Sequence, residues 1–440
     1  MMSIVEIAPE IVSQPRRYPT YFGAPWSKEG GLWERSSLTG DWGGTRANLI
    51  DSGIFFDVGL TQVFQSNVAG GKKTTNSLRY SGSLDYWLSF DTAKLGLWPG
   101  GLWVINAETS IGRSANGDVG SVLPVNFDAI MPVFNEESGK TTVSELYLLQ
   151  SLGPEISILL GKANGAGFAD NNRYANNERT QFLYTGLVNN ALIGQFAPYT
   201  AMTAAVVWQP AKSSTLTLAA WDADGKATTS GFDTMFDGAT AVALEWDIND
   251  VELFAPGLKG TLRFGTVMLF ENGLADLSVN SRTFIGQLQG LIPLETVNNN
   301  IVFYANFDHQ IHVVDEKTGE GWGIFGRIGL ADPTRSVLDQ FYSLGVGGRG
   351  GLSGRHNDTW GVGWAATHIS SDFQDNLGAA GIDINSMEHA IEMFYSFELT
   401  PALHLTPDIQ FIVNPAGGDS NTFTDDDYAV VVGLRLQASF

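Results

Sequence analysis

Apolar and polar residues alternate with a period of two in segment after segment of this chain of 440 residues. In residues 54–65, for example, Ile54, Phe56 and Val58 fall on one face of an extended backbone, and Asp57 falls on the other. This period is typical of a β-strand that has one face against apolar surroundings and the other against water. The alternation therefore predicts a protein built mostly of strands and turns.

Segments of this kind recur about sixteen times, and many are about ten residues long, the length that crosses a bilayer when the strand is tilted. They begin near residues 54, 80, 100, 143, 155, 198, 214, 237, 259, 300, 320, 341, 359, 387, 403 and 427. The sequence predicts an all-β fold, a transmembrane antiparallel β-barrel of about 16 strands, with about 14 or about 18 as alternatives.

The connections between these segments are alternately short and long. Tight ones lie near Gly153, Pro210 and Pro401. Long ones cover residues 66–78, 114–142, 164–197, 222–236, 272–297 and 415–426. Short periplasmic turns and long extracellular loops are typical of outer-membrane barrels. Because hydrocarbon does not tolerate an open sheet edge, we expect the last strand, which ends at Phe440, to pair with strand 54–65 and close the ring.

Composition excludes several classes of protein. The formal net charge is −22, and phosphate recognition needs concentrated Lys and Arg, so nucleic-acid binding is disfavoured. The chain has no cysteine, which excludes disulfides and thiolate metal sites. No apolar run is long enough for a transmembrane helix. Residues 1–22 do not have the pattern of a signal peptide, so an exported chain would have lost its signal or would begin upstream.

The sequence contains no convincing motif for catalysis or for cofactor binding. The stretch "GVGGRG" at 345–350 matches a dinucleotide fingerprint, but a turn and a strand follow it where the fingerprint needs a helix. The acidic stretch after Trp221 lacks the Gly and the Glu of a calcium-binding EF-hand. Neither G-x-S-x-G nor H-E-x-x-H occurs. We therefore expect a protein that is not an enzyme and that has no cofactor and no metal.

Several longer motifs resemble the carbohydrate-selective porin family, OprB. They are "LTGDWGGTRANLIDSGI" (38–54), "VSELYLLQSL" (143–152), "LLGKAN" (159–164), "GWGIFGRIGLAD" (321–332) and "LTPALHLTPDIQFIVNPAGG" (399–418), together with the terminal Phe440. The resemblance implies a sixteen-stranded barrel of the bacterial outer membrane that passes glucose and other small sugars by diffusion. On this basis residues 38–440 form the porin domain, with a short helix at 41–52. Residues 1–37 form an irregular periplasmic extension.

The loop from Asn164 to Tyr199 is the candidate constriction, since the third long loop of such barrels commonly folds into the lumen. The alternative is a solvated outer loop. It carries several amide and charged side chains. Trp87 and Trp103 are expected to face the same way as their polar neighbours, so a sugar ring could stack on either of them, or they could instead anchor the barrel at a membrane interface. The predicted solute-binding and pore-lining residues are Arg79, Asp85, Glu108, Glu145, Lys162, Asn164, Asp170, Asn172, Arg173, Arg327, Glu392 and Asp408. A charged wall residue can equally hydrate the wall or pair with a neighbour across the strands.

The sequence thus predicts a porin for passive, selective diffusion of small carbohydrates such as glucose, embedded in outer-membrane lipid as a monomer or as a homo-oligomer such as a trimer. One alternative is a general diffusion porin that weakly prefers cations, which the net charge of −22 favours. Another is a plugged barrel with a structural role in the envelope. A soluble sandwich that binds sugars is a third.

Overall fold

The computed structural model describes residues 30–131, 139–164, 167, 169–316, 318–352, 354–416 and 427–440. Sixteen of its strands form one closed antiparallel barrel, and two very short strands form a separate hairpin. The barrel strands are β1 Ile54–Gly70, β2 Arg79–Asp91, β3 Gly101–Gly112, β4 Thr141–Ser151, β5 Ile156–Ala163, β6 Ala201–Ala211, β7 Ser214–Asp222, β8 Thr240–Val251, β9 Gly260–Phe270, β12 Asn300–Asp315, β13 Glu320–Ala331, β14 Leu338–Arg349, β15 Thr359–Ile369, β16 Met387–Thr400, β17 Leu403–Val413 and β18 Tyr428–Ser439. The hairpin strands are β10 Leu274–Ala275 and β11 Thr296–Val297.

The helices of the described residues are all short. They are Thr45–Asp51, Asn116–Val119, Thr185–Val188, Ala191–Gly194, Ser281–Leu288 and Ser371–Ala379, with 3₁₀ turns at Trp42–Gly44 and Asp128–Ile130. None of the helices in these ranges has the length and apolar character needed to cross a membrane. The predicted helix at 41–52 corresponds to the turn Trp42–Gly44 and the helix Thr45–Asp51.

Each barrel strand pairs with its neighbours in the chain, except that β9 pairs with β12 across the hairpin. The ring closes between β1 and β18, in a register that runs from Gly59 opposite Ser439 to Gly70 opposite Ala429. The all-β barrel of about 16 strands is therefore confirmed, and so is the closing pair. The predicted strand starts are close to the observed ones. The largest differences are three residues, as at β6, expected at 198 and found at Ala201.

The two ends of the barrel differ in their connections. At one end, which we call the turn end, strands are joined by segments as short as 152–155, 212–213 and 401–402. At the other, which we call the loop end, they are joined by segments as long as 164–200 and 271–299. The predicted N-terminal extension, 1–37, lies mostly outside the described residues.

Along most strands the alternation places polar side chains inside the barrel and apolar ones outside. On β16, Glu388 and Glu392 are fully buried inside while Ile391 is exposed outside. The prediction for Trp103 is wrong, because its side chain lies on the outer face opposite Phe90 and is 36% exposed. Both faces of β3 are apolar at this point, so the sequence pattern gives no direction there.

The seam between the first and last strands is fastened by the helix Thr45–Asp51. Arg46 of this helix is buried, and its guanidinium donates to the carbonyl of Phe56 at 3.0 Å and to that of Phe440 at 3.1 Å. It also forms an ion pair of 3.0 Å with Asp57. The backbone N–H of Phe440 donates to the carbonyl of Val58 at 2.8 Å. One arginine thus contacts both strands of the closing pair.

Candidate functional site

Among the described residues, two of the long connections make several hydrogen bonds to the inner wall of the barrel. The first, which contains residues 115–131, was predicted only as a long loop. The carbonyl of Val125 accepts hydrogen bonds from Gln65 on β1 at 3.2 Å and from Gln410 on β17 at 2.9 Å. Ser121 donates to Glu388 on β16 at 2.6 Å. Since all three partners point inward from their strands, this segment lies in the lumen.

The second inward connection is the 164–199 loop. Its central turn is held by the carboxylate of Glu392 on β16, which accepts the backbone N–H of Leu183 at 2.6 Å and that of Tyr184 at 2.8 Å. Phe182 packs edge-on between Phe325 and Phe394 of the wall, with ring centroids 5.6 and 4.9 Å away. A buried carboxylate with two backbone donors is well satisfied, and the aromatic contact adds apolar burial.

Arg327 of β13 holds the first part of the same loop. Its side chain is fully buried and forms an ion pair of 2.8 Å with Asp170. It also donates to the backbone carbonyls of Leu187 and Ala175. Asn306 of β12 completes this group by donating to Asp170 at 2.8 Å. The group joins two parts of the loop to two neighbouring strands.

Asn172 and Arg435 fix the loop at two further points. Asn172 donates to the side chain of Asn306 at 2.8 Å. Arg435 of β18 donates to the carbonyls of Glu178 and Gln181 at 2.9 and 2.8 Å. The loop is therefore bonded to two groups of strands, β12–β13 and β16–β18.

Arg179 of the loop lies in a ring of four carboxylates. Its guanidinium is 2.9 Å from Asp85 of β2, 3.3 Å from Glu108 of β3, 3.5 Å from Asp128 of the 115–131 segment and 2.8 Å from Glu178. Burial raises the pKa of Asp128 to about 7, although the positive charge of Arg179 opposes this shift. One cation thus balances part of a larger acidic charge and connects both loops to the wall.

Glu145 and Lys162 lie where the 164–199 loop leaves β5. Glu145 accepts the backbone N–H of Asn164 at 3.1 Å. Lys162 donates to the carbonyls of Val143 and Thr229, each at 2.8 Å. Glu145 thus fixes the backbone at the start of the loop, and Lys162 fixes the backbone of the 223–239 connection.

The 164–199 loop lines two cavities, one toward each end of the barrel. The loop-end cavity has a volume of about 600 Å³ and is bounded by residues 123–131, 189–199 and 225–228. The turn-end cavity has a volume of about 290 Å³ and is bounded by Arg173, Tyr174 and Gln181 of the loop together with Arg349 and His404 of the wall. The backbone between Asp170 and Arg173 separates the parts of the loop that line the two cavities.

The predicted site residues fall into two groups. Arg173 is exposed in the turn-end cavity, Asn164 is half-buried at the loop-end cavity, and Arg79 is half-buried in an ion pair of 2.6 Å with Asp118. The other nine are buried: Asp85, Glu108, Glu145, Lys162, Asp170, Asn172, Arg327, Glu392 and Asp408. Asp408 accepts a hydrogen bond from its neighbour Gln410 at 3.2 Å.

Arg179, Asn306 and the 115–131 segment were not among the predicted site residues. The sequence does contain a signal for Arg179. The many carboxylates of the wall need a nearby positive charge to compensate them, and Arg179 is one of the cations of the loop. No local pattern marks Asn306 or the inward path of 115–131, because their partners are distant in the chain.

Comparisons with known proteins agree with this architecture. The family model "Carbohydrate-selective porin, OprB family" matches residues 75–440. The chain is similar to Porin B of Pseudomonas aeruginosa, with 22% identity over 92% of this chain and 91% of the relative. It is similar to the putative porin QuiX of Acinetobacter baylyi, with 23% identity over 94% of both chains.

Among solved structures, the high-pH structure of Pseudomonas putida OprB has a TM-score of 0.80 at 19% identity and covers 94% of this chain and 100% of that one. The low-pH structure of the same protein has a TM-score of 0.55 at 15% identity and covers 93% of this chain. The barrel and the family match together indicate a channel of the bacterial outer membrane. The chain belongs to the carbohydrate-selective porin family, OprB.

Proposed function

We propose that this protein is a passive diffusion channel that selects small uncharged carbohydrates such as glucose. The observation that carries the proposal is that one loop, 164–199, lines both cavities and is bonded to opposite sides of the barrel, to β13 through Asp170 and to β2 and β3 through Arg179. A solute that crosses the barrel must pass this loop. Because the loop is fixed, the passage beside it has a defined width and lining, as selectivity in a pore requires.

Arg173 is the predicted residue best placed to contact the solute. It is exposed in the turn-end cavity, and its guanidinium lies 5.5 Å from the ring centre of Tyr174. The hydroxyl of Tyr174 has no hydrogen-bond partner among the described residues. A pyranose offers hydroxyl groups at its rim and flatter apolar faces, so an arginine next to an aromatic ring suits it.

Asn164 is proposed as a second solute contact, on the loop-end side. The nine buried residues are proposed to act indirectly, because they hold the loop and the wall in place rather than meeting the solute. Arg79 is proposed to order the loop end through Asp118. We therefore predict that variants of the exposed residues change sugar affinity, whereas variants of the buried residues change the attachment of the loop to the wall.

The test uses the purified, folded barrel in two assays. Liposome swelling measures the permeation of glucose, and planar-bilayer recording measures the block of ion current by glucose. We expect glucose to permeate and to block, and we expect Arg173→Ala to raise the half-blocking concentration about two- to tenfold, as for the loss of one hydrogen bond. Arg282→Ala, an exposed arginine that lines neither cavity, is the matched control for lost positive charge and should leave the half-blocking concentration unchanged.

The general, weakly cation-preferring porin makes a different prediction. In that case glucose would permeate only according to its size, would not block the current, and Arg173→Ala would change the ionic reversal potential without any effect on sugars. That result would contradict the proposed selectivity.

A further inference from the structure

The loop-end cavity differs in chemistry from the turn-end cavity. Its wall is largely apolar, with Leu123, Phe127 and Ile130 from the 115–131 segment and Ile193 and Pro198 from the 164–199 loop. The turn-end cavity is instead lined by several charged side chains, among them Arg173, Arg349 and Glu320. The two sides of the constriction therefore favour different parts of a solute.

The charge of the loop-end cavity is nearly balanced. Among the described residues that line it, Asp170 and Lys226 are the charged ones. Asp170 is buried in its ion pair with Arg327, so its charge is already compensated. Lys226 is exposed at the rim, where water screens it. A charged solute would find no buried partner of opposite sign, and desolvating it would be unfavourable.

Several of the polar side chains at this cavity are amides. Asn189 and Asn164 are both half-buried and line it, and amides donate and accept hydrogen bonds without carrying charge. A volume of about 600 Å³ lies within the range of small-molecule sites, which are mostly apolar with a few placed polar groups. The cavity is larger than a free hexose needs.

We infer that the loop-end cavity is a capture site for uncharged sugars that carry an apolar substituent, such as aryl glycosides. The amides of Asn189 and Asn164 hydrogen-bond the hydroxyls, and the wall at Phe127 and Ile130 covers the apolar group. This inference rests on the proposed function, since it names the class of carbohydrate that binds best. It also assigns the solute contact to the loop-end side of the constriction, where Lys226 is the exposed charged residue among the described residues of the lining.

The experiment compares glucose with phenyl β-glucoside as blockers of ion current through the full chain in planar bilayers, added separately from each side. We expect phenyl glucoside, added on the loop side, to block half the current at a concentration about two- to tenfold lower than glucose, the ratio for one aromatic contact. Phe127→Ala should abolish this difference, and Phe127→Leu should leave part of it. Phe232→Ala, an exposed phenylalanine off the cavity, is the matched control.

Asn189 gives an independent readout. Asn189→Ala should raise the half-blocking concentration of both solutes about two- to tenfold, because both share the hydroxyl groups. Asn272→Ala, an exposed amide on a different loop, should change neither.

The outcomes separate the two proposals. Equal block by the two solutes, or a preference that Phe127→Ala leaves unchanged, overturns the capture site, while glucose permeation in liposomes would leave the proposed function standing. If glucose does not permeate but phenyl glucoside still blocks in a manner that depends on Phe127, the result supports the capture site and contradicts the proposed diffusion of glucose.

Discussion

Replacement of Arg327 by methionine should release the 164–199 loop while leaving the barrel closed. The guanidinium is the buried partner of Asp170 at 2.8 Å and bonds the carbonyls of Leu187 and Ala175. Removing one member of a buried ion pair costs about 3–5 kcal/mol, because the other charge is left without compensation. The barrel strands retain their own ladder of hydrogen bonds, so this cost falls on the contact between loop and wall.

The size of the effect follows from the same numbers. Since about 1.4 kcal/mol corresponds to a tenfold change, the population of detached loop should rise between about 100-fold and about 4000-fold. Limited digestion with trypsin measures this directly, because the loop carries cleavable bonds after Arg173 and Arg179. When opening is fast compared with cleavage, the digestion rate follows the detached population. We expect the Arg327→Met variant to be nicked at these sites while its barrel stays resistant.

The pH dependence tests the physical cause. Burial raises the pKa of Asp170, and the positive charge of Arg327 opposes that shift in the wild-type protein. Without Arg327 the pKa of Asp170 in the attached loop should rise further above its ordinary value. A raised carboxyl pKa means that the attached state binds a proton more readily than the detached state. The variant's loop should therefore become more stable as the pH falls and less stable as it rises.

Two further variants control the experiment. The double change Asp170→Asn with Arg327→Met removes both charges and should recover much of the protection, without the pH dependence. Arg355→Met breaks an ion pair with Asp358 whose arginine is 39% exposed, and it should leave loop digestion unchanged. A digestion rate for Arg327→Met within about threefold of wild type would refute the reasoning, because threefold, about half a decade, is far below the expected rise in detached loop.

Three other changes test other parts of the molecule. Arg46→Ala should destabilise the folded barrel by about 3–5 kcal/mol, seen as a lower urea midpoint, because it removes the 3.0 Å ion pair that compensates the buried charge of Asp57 at the seam; an unchanged midpoint would contradict this. Asp128, whose burial raises its pKa to about 7, should gain charge as the pH rises through neutrality, so the reversal potential in a KCl gradient should become more cation-selective. Asp128→Asn should abolish that pH dependence if this residue causes it. Glu392→Ala should promote digestion of the 164–199 loop more than Glu392→Gln does, because only glutamine keeps an acceptor for the buried N–H of Leu183; equal digestion would assign the effect to charge.

The barrel was predictable from the sequence because lipid and water impose opposite demands on alternate residues of every spanning strand. The prediction was accurate where one face was clearly polar, as in β16 with Glu388 and Glu392. It failed for Trp103, where Leu102 and Val104 face inward because they belong to the apolar core under the loops. A period of two residues carries no information on side-chain direction where both faces of a strand are apolar.

The arrangement inside the barrel was much less predictable. Glu392 and Leu183 are 209 residues apart in the chain, and Gln410 and Val125 are 285 apart. Such pairs depend on the closed ring, which brings distant strands to face each other, and they leave no periodic trace in the sequence. The sequence identified the 164–199 loop and its polar residues, but it could not indicate that Asp170 would be covered and Arg173 exposed.

Many acidic side chains of this protein have a structural role inside the barrel. A loop folded into a lumen carries backbone N–H groups that need acceptors, since unpaired buried donors are unfavourable. Glutamates of the wall supply them: Glu145 accepts from Asn164 and Glu245 from Asp170, while Glu388 and Glu392 each accept two. Carboxylates used in this way fix loops and are largely withdrawn from the passage. The net charge of −22 is therefore weak support for cation selectivity, and the exposed groups beside the loop are better guides to what passes.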